Sequence, residues 1–154
     1  MTPKLQAARA ECERHAAVLL AALEALQEAP PGEEDEAASE RLRVLDQLAY
    51  RFGKLQDTLG ERVLPGVLDL LEEPLPPSTP FAQKLQRLER LGVIPGAEQW
   101  RRLREVRHAI AHEYPETPAV QAALVRRFVA AVTELLNVWI SVEVYLGEGE
   151  EAPA

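Results

Sequence analysis

The segment LRVLDQLAYRFGKLQDTL, residues 42–59, decides the fold class of this 154-residue chain. Its apolar side chains recur every three or four positions, at Leu42, Leu45, Leu48, Ala49, Phe52, Leu55 and Leu59. That spacing places them on one face of an α-helix, because a helical turn takes about 3.6 residues. We therefore predict an amphipathic helix here, and we expect Gly60 and Pro65 to kink or break it before residues 68–71.

The sequence on either side of this segment predicts further helices. A first helix is expected to begin after Thr2 as its N-cap and to end at residues 30–32, which read Pro-Pro-Gly. Thr79 is the predicted N-cap of a helix over residues 80–91, and Pro115 is expected to end a helix over residues 97–114. A last helix is predicted from residue 118 to residue 146, closed by Gly147.

Composition agrees with this pattern. Aromatic residues make up only 5% of the chain, and Leu, Ala, Glu and Arg dominate, which favours helices over sheet. We predict an all-α protein, an up-and-down bundle of about five helices, with one domain over residues 1–147 and a disordered acidic tail over 148–154. The residues expected to form the inward face of the fourth helix are Trp100, Leu103, Val106 and Ile110, and Trp139 is a further predicted core residue.

Charge is distributed unevenly along the chain. The net charge of −8 argues against a simple nucleic-acid binder, since neutralising phosphates requires Lys and Arg. The acidic residues are concentrated in residues 33–36 and in the tail, however. Residues 81–107 carry seven Lys and Arg against three Glu, a local charge of +4. A basic surface in the middle of the chain therefore remains compatible with an anionic ligand.

Cys12 is the single cysteine, so the chain cannot form an intramolecular disulfide. The sequence shows neither the apolar core of a signal peptide nor an uninterrupted apolar run of 18 residues. These features lead us to expect a cytoplasmic protein that does not contact a membrane.

The segment RHAIAHEY, residues 107–114, carries the most pointed chemistry. It brings a guanidinium, two imidazoles and a phenol to the C-terminal half of the predicted fourth helix, from Arg107, His108, His112 and Tyr114. Arg101 and Arg104 precede them by one to two turns on a neighbouring ridge of the helix. This is an unusual set for a plain solvated helix end.

Arg107 followed after four residues by His112, with polar His108 directly after the arginine, resembles the Arg-x4-6-His motif of the HEPN superfamily. Tyr114 extends it to Arg-x4-His-x-Tyr, which is similar to the signature of the HepT branch. The resemblance covers residues 3–146 and implies a helical bundle. It also implies a toxin-like endoribonuclease that cuts RNA without metal or cofactor, in which the ribose 2′-OH attacks the adjacent phosphate.

By this resemblance, His112 acts as general acid and base, and Arg107 binds the scissile phosphate, with His108 supporting. Arg101 and Arg104 are the implied RNA-binding residues. Residues five apart on a helix point about 140° apart, so one subunit does not readily assemble both groups. The family pairs two motifs across a homodimer, which we expect here. The resemblance further implies that a minimal nucleotidyltransferase antitoxin transfers AMP from ATP to Tyr114 and so silences the toxin; we expect no binding to DNA.

Other interpretations of the same residues stay open. The chain is alternatively a non-catalytic substrate-binding subunit or modification target of a nucleotidyltransferase, or a generic helical dimerisation module. Taken singly, Arg107 and His112 are residues that interact favourably with a helix C-terminus, and Arg101 with Arg104 is a solvated face. His108 and His112, four residues apart, could bind zinc, but no HExxH pattern or third ligand accompanies them.

Overall fold

The computed structural model describes residues 1–28, 35–112 and 118–151, with side chains described for residues 1–28, 39–110 and 123–150. Helices account for most of the described residues, which contain no strand. The helices are α1 (Pro3–Glu28), α2 (Asp35–Thr58), α3 (Leu64–Leu68), α4 (Phe81–Arg90), α5 (Ala97–His112) and α6 (Pro118–Glu151). A π-helical turn, Leu59–Val63, joins α2 to α3, so the described elements form five helical segments. The predicted all-α helical bundle is confirmed.

The helices pack around one connected apolar core. α1 lies along α2 and α6, while α5 contacts α2, α4 and α6. The predicted inward face of α5 is confirmed, since Trp100, Leu103 and Val106 are buried and Ile110 is partly buried against the core. Trp139 of α6 is buried as well. Burial of these apolar surfaces, rather than helix propensity, holds α5 in place.

The kink expected at Gly60 and Pro65 takes the form of the π-helical turn. Proline has no N–H to continue the helical hydrogen bonds, and its ring crowds the carbonyl of the preceding turn. The backbone adapts by widening, and the N–H of Leu64 donates to the carbonyl of Leu59, five residues earlier. The helical chain therefore continues through Gly60 and Pro65 to Leu68, with Leu59 and Val63 in the core on either side of Gly60.

The helix ends test the predicted caps. The N–H of Leu5 donates to the Thr2 hydroxyl at 3.1 Å, which confirms Thr2 as the N-cap of α1. The prediction for Thr79 is wrong: its hydroxyl donates to the carbonyl of Pro76 at 2.6 Å, and Pro80 is the residue that precedes α4. Thr79 therefore stabilises the preceding turn, because the carbonyl of Pro76 accepts from both its N–H and its hydroxyl.

The C-terminus of α4 closes with a Schellman motif. Gly92 has a φ of +77°, a left-handed conformation that glycine adopts without strain. The N–H of Val93 donates to Leu88 and that of Gly92 to Glu89, so two end carbonyls are satisfied. Ser141 of α6 donates to the carbonyl of Val93 at 2.9 Å, which ties this turn to the last helix.

The end of α6 differs from the prediction. The helix does not stop at Gly147 but continues to Glu151, so a disordered tail beginning at residue 148 is wrong for residues 148–151. Arg9 of α1 pairs with Glu143 at 2.9 Å and with Glu150 at 2.7 Å, and these ion pairs hold the last turns against α1. Residues 152–154 lie outside the described residues, as do 29–34 and 113–117.

One described segment, Ala123–Glu150 of α6, is long and apolar enough to cross a membrane by length and composition alone. In its most apolar window 39% of the residues are buried inside the protein, and a core helix passes the same test. Glu143 in this segment is paired with Arg9, so part of the surface of α6 contacts α1.

A polar network joins α1 to the π-helical turn, and it makes folding sensitive to pH. Arg62 donates a hydrogen bond to the carboxylate of Glu11, Thr58 donates a second at 3.3 Å, and Nε2 of His15 lies 3.5 Å away. The hydrogen bond from Arg62 lowers the pKa of Glu11, opposed by burial. A depressed carboxyl pKa stabilises the fold above the unfolded-state pKa, and that stability is lost as pH falls through the folded-state value.

We therefore expect the thermal midpoint of the protein to fall on acidification below about pH 4.5, and to fall less steeply in a Glu11→Gln variant. Calorimetry from neutral to acid pH measures both curves. Glu13→Gln, an exposed position on the same helix, serves as the control and should follow the unmodified protein. Identical pH dependence in Glu11→Gln and the unmodified protein would show that Glu11 does not couple folding to pH.

Candidate functional site

A wide groove with a volume of about 1530 Å³ runs between α2 and α5. Phe81 of α4 and Arg127 of α6 complete its rim. The volume exceeds the few hundred to about 1,000 Å³ of a typical small-molecule pocket. The groove is therefore large enough for a polymer such as a single nucleic-acid strand.

The α2 wall consists of residues that share one helical face, and two glycines let α5 approach it closely. A Cβ at Gly53 would lie 3.2 Å from Nε of Arg107, and a Cβ at Gly60 would lie 3.0 Å from Cζ2 of Trp100. A larger side chain at Gly60 would require the indole to shift by a few tenths of an ångström. The glycines thus allow Arg107 to lie against the backbone of α2 and Trp100 to lie against the backbone of the π-helical turn.

The groove is lined by four of the residues that the sequence predicts for the site. Arg101, Arg104, Arg107 and His108 of α5 all line it, together with Lys54 and Arg127. Among the lining residues that the structure describes, five Lys and Arg face three carboxylates, from Asp57, Glu61 and Glu105. The wall is therefore positive although the whole chain is acidic.

Arg107 is tied to α2 through one carboxylate. Its Nη2 donates to Oδ2 of Asp57 at 2.7 Å, and both side chains are partly exposed. An exposed pair of this kind contributes about 0–1 kcal/mol to stability. A guanidinium also donates to phosphate oxygens, so Asp57 would compete with a phosphate for Arg107.

The other two arginines of α5 are positioned by different contacts. Arg101 pairs with Glu98 at 2.6 Å, and the guanidinium of Arg104 lies 5.7 Å from the ring centre of Phe81, a cation–π distance. On the opposite rim, Tyr50 is 59% exposed and Lys54 lies 5.6 Å from its ring centre. The rims thus combine aromatic rings with cations, which is the composition of surfaces that bind single-stranded nucleic acid.

The floor of the groove contains buried polar groups that make no hydrogen bond. Gln56 is 3% exposed and Trp100 is 1% exposed. In the described part of the chain, Nε2 and Oε1 of Gln56 have no hydrogen-bond partner, and neither has Nε1 of Trp100. Gln56 was not predicted as a site residue, although its position four residues after Phe52 and three before Leu59 places it on the apolar face of α2.

The second half of the predicted motif, from His112 to Tyr114, lies at the end of α5 and beyond it. His112 is the last residue of α5, and its side chain lies outside the described residues; Tyr114 lies outside them entirely. The predictions for His112 and Tyr114 therefore stay predictions. Arg107 and His108, the first half of the motif, lie on the groove wall.

Metal and thiol chemistry gain no geometry from the described residues. Within the described residues, no three His, Cys, Asp or Glu side chains are grouped closely enough to hold a metal ion. Nδ1 of His15, three residues after Cys12, accepts a hydrogen bond from Nη1 of Arg51 at 2.9 Å. Burial raises the pKa of Cys12 to about 12, which keeps the thiol protonated and unreactive at neutral pH.

No family model, no curated protein and no solved structure matches this chain. The resemblance to the HEPN superfamily therefore depends on residues 107–114 and on the all-helical architecture.

Proposed function

We propose that this protein is a toxin-like, metal-independent endoribonuclease of the HEPN type, related to the HepT branch. The observation that carries the proposal is the position of Arg107. It lies with His108 on the wall of a long positive groove, on the helix that ends with His112. An arginine in that place meets the phosphate of any strand that enters the groove.

In the proposed reaction the ribose 2′-OH attacks the adjacent phosphorus and the 5′-oxygen of the next nucleotide leaves. His112 takes the proton from the 2′-OH and later returns one to the leaving oxygen, with His108 in support. Arg107 exchanges Asp57 for the phosphate and stabilises the charge that develops on its oxygens. Arg101 and Arg104 hold the neighbouring phosphates. The products are a 2′,3′-cyclic phosphate and a free 5′-hydroxyl.

RNA and DNA of one sequence test this chemistry. We expect a labelled RNA oligonucleotide to be cut in EDTA into fragments that end in a 2′,3′-cyclic phosphate by mass spectrometry, while the DNA version remains intact. Cleavage of both strands would rule out attack by the 2′-OH. An intact RNA strand, with protein shown by mass to lack any modification, would contradict the proposed nuclease.

The proposal extends to assembly and control. We infer a cytoplasmic homodimer in which two copies of α5 approach each other, so that both motifs contribute to one site. A minimal nucleotidyltransferase acting as antitoxin would use ATP to place AMP on Tyr114. The added bulk and negative charge beside Arg107 and His112 would repel the RNA backbone.

A Tyr114→Phe variant is accordingly expected to escape labelling when it is incubated with the nucleotidyltransferase and radiolabelled ATP, since phenylalanine has no acceptor hydroxyl. Tyr50→Phe is the matched control, because Tyr50 is exposed and should not be the acceptor. Retained labelling of Tyr114→Phe, or loss of labelling in Tyr50→Phe, would assign the modification to another residue.

A second candidate is a non-catalytic subunit that binds or receives the nucleotidyltransferase without cutting RNA. The pairing of Arg107 with Asp57 favours it, because the phosphate-binding cation is already engaged. The net charge of −8 points in the same direction. In this case the protein forms a complex with the nucleotidyltransferase and is modified, and RNA stays intact in the assay above.

A further inference from the structure

Tyr50 has a position that packing of the core does not explain. Its side chain is 59% exposed, and among the described residues no other aromatic ring is mostly exposed. It lies on α2 at the rim of the groove. Phe81 on the opposite rim is partly buried against the core, so its ring already has a structural role. Tyr50 therefore presents to the groove a ring that the fold itself does not use.

Helix geometry places this ring beside the cation proposed to bind phosphate. Tyr50, Gly53 and Asp57 are spaced three and four residues apart, so they share one face of α2. Nε of Arg107 lies 3.2 Å from the position of a Cβ at Gly53, one helical turn after Tyr50. A turn is about 5.4 Å long, which is within the reach of the sugar that joins a phosphate to its base. A strand whose phosphate binds Arg107 therefore brings a base to the level of Tyr50.

Two cations lie next to the ring. The guanidinium of Arg51 and Nζ of Lys54 each lie 5.6 Å from its centre. Arg51 is also held by Nδ1 of His15, to which it donates at 2.9 Å. Lys54 lies one turn after Tyr50 and lines the groove, where its ammonium can bind a phosphate next to a stacked base. A ring and an ammonium side by side match one repeat of a nucleic-acid strand, which has a flat base and a charged phosphate.

The groove favours an anionic strand over other flat ligands. Five Lys and Arg face three carboxylates among its described lining residues, and its volume of about 1530 Å³ exceeds that of a typical small-molecule pocket. In a duplex the neighbouring pairs cover both faces of each base, so only an unpaired base offers a face to the ring of Tyr50. A single strand laid along α2 supplies such a face and a phosphate together.

We propose that Tyr50 is a base-stacking residue, and that it holds the unpaired base next to the phosphate bound by Arg107. Every base has a π-face, so the contact selects single strands without selecting a sequence. That the strand is RNA rests on the proposed function, whereas the stacking contact is measured without any cleavage.

Binding is measured by fluorescence anisotropy with a labelled 2′-O-methyl RNA, which lacks the attacking hydroxyl and so survives the proposed nuclease. Tyr50→Ala is expected to weaken binding of the single strand about tenfold, a typical loss when one base–aromatic stack is removed. Tyr50→Phe keeps the ring and should bind within a fewfold of the unmodified protein. Leu42→Ala removes another exposed side chain of α2, outside the groove, and should bind normally. The thermal midpoint of Tyr50→Ala should be unchanged, because the ring is mostly exposed.

Two further ligands separate stacking from charge. A strand of abasic units should bind Tyr50→Ala and the unmodified protein equally, since it has no base to stack. Annealing the labelled strand to its complement should weaken its binding and remove the effect of Tyr50→Ala. Salt should weaken binding of both proteins with the same slope, because the phenol neutralises no phosphate. Lys54→Gln should reduce that slope by about 0.7, the value for one phosphate contact on a single strand.

An unchanged affinity of Tyr50→Ala for the single strand, or an equal loss on the abasic strand, would overturn the stacking contact. A duplex bound as tightly as the single strand would overturn it as well. Binding that depends on Tyr50, without cleavage of ordinary RNA by the unmodified protein, would leave the stacking residue standing and remove the nuclease. Cleavage of ordinary RNA by Tyr50→Ala with an unchanged KM would retain the nuclease and remove the stacking residue.

Discussion

Replacing Arg107 by alanine is expected to lower kcat/KM for RNA cleavage by about two to three orders of magnitude, the typical effect of removing a donor that stabilises a developing oxyanion. The guanidinium is the cation of the motif that lies on the groove wall, and alanine leaves the scissile phosphate without this partner. The fold should persist, because the Arg107–Asp57 pair is partly exposed and contributes little to stability. Initial rates on a labelled RNA measure the effect.

Two control variants separate the role of the cation from other effects. Arg102→Ala removes an exposed arginine of the same helix that does not line the groove, so its rate should stay within a fewfold of the unmodified protein. Asp57→Asn breaks the same ion pair but keeps Arg107, and its rate should not fall. If Asp57→Asn loses as much activity as Arg107→Ala, the ion pair and not the free cation supports cleavage.

Replacing Trp100 by alanine is expected to lower the free energy of unfolding by about 3–5 kcal/mol. The indole is 1% exposed and joins α5 to α2 through its contact with Gly60, so its loss leaves a cavity in the interface that forms the groove floor. Removing the orphaned indole N–H offsets only part of this loss. Urea unfolding followed by circular dichroism gives the value.

The matched control is Ile140→Ala, a large apolar side chain of α6 that is 57% exposed. Its effect should remain below about 0.5–1 kcal/mol, since a mostly exposed side chain buries little surface on folding. A cost for Trp100→Ala as small as that of Ile140→Ala would mean that α5 is not anchored on α2 through the indole.

Much of the fold could be predicted from the sequence because local rules decided it. The three- and four-residue spacing of apolar side chains in residues 42–59 and around Trp100 identifies the buried faces before any contact is known. Thr2 caps α1 as expected, because an N-cap depends only on its own first turn. Thr79 and Gly147 were predicted wrongly. The Thr79 hydroxyl donates to the carbonyl of Pro76 instead of capping α4. α6 continues past Gly147, where Arg9 pairs with Glu143 and Glu150.

The candidate site was predictable only in part. Arg101, Arg104 and His108 share a helix with Arg107, so helical geometry alone brings them to one side. The pairing of Arg107 with Asp57 joins positions 50 residues apart, and no local pattern announces it. Gln56 was missed because it is polar, although the spacing of the helix places it on the buried face with Phe52 and Leu59.

The most direct measurement is the incubation of the purified, unmodified protein with tRNA and total RNA in EDTA, beside a His112→Ala variant, with the fragments read on a gel. We predict that the unmodified protein cuts RNA without metal and that His112→Ala does not. Intact RNA in both lanes, from protein shown by mass to carry no AMP, or equal cleavage by both proteins, would contradict a nuclease that uses His112.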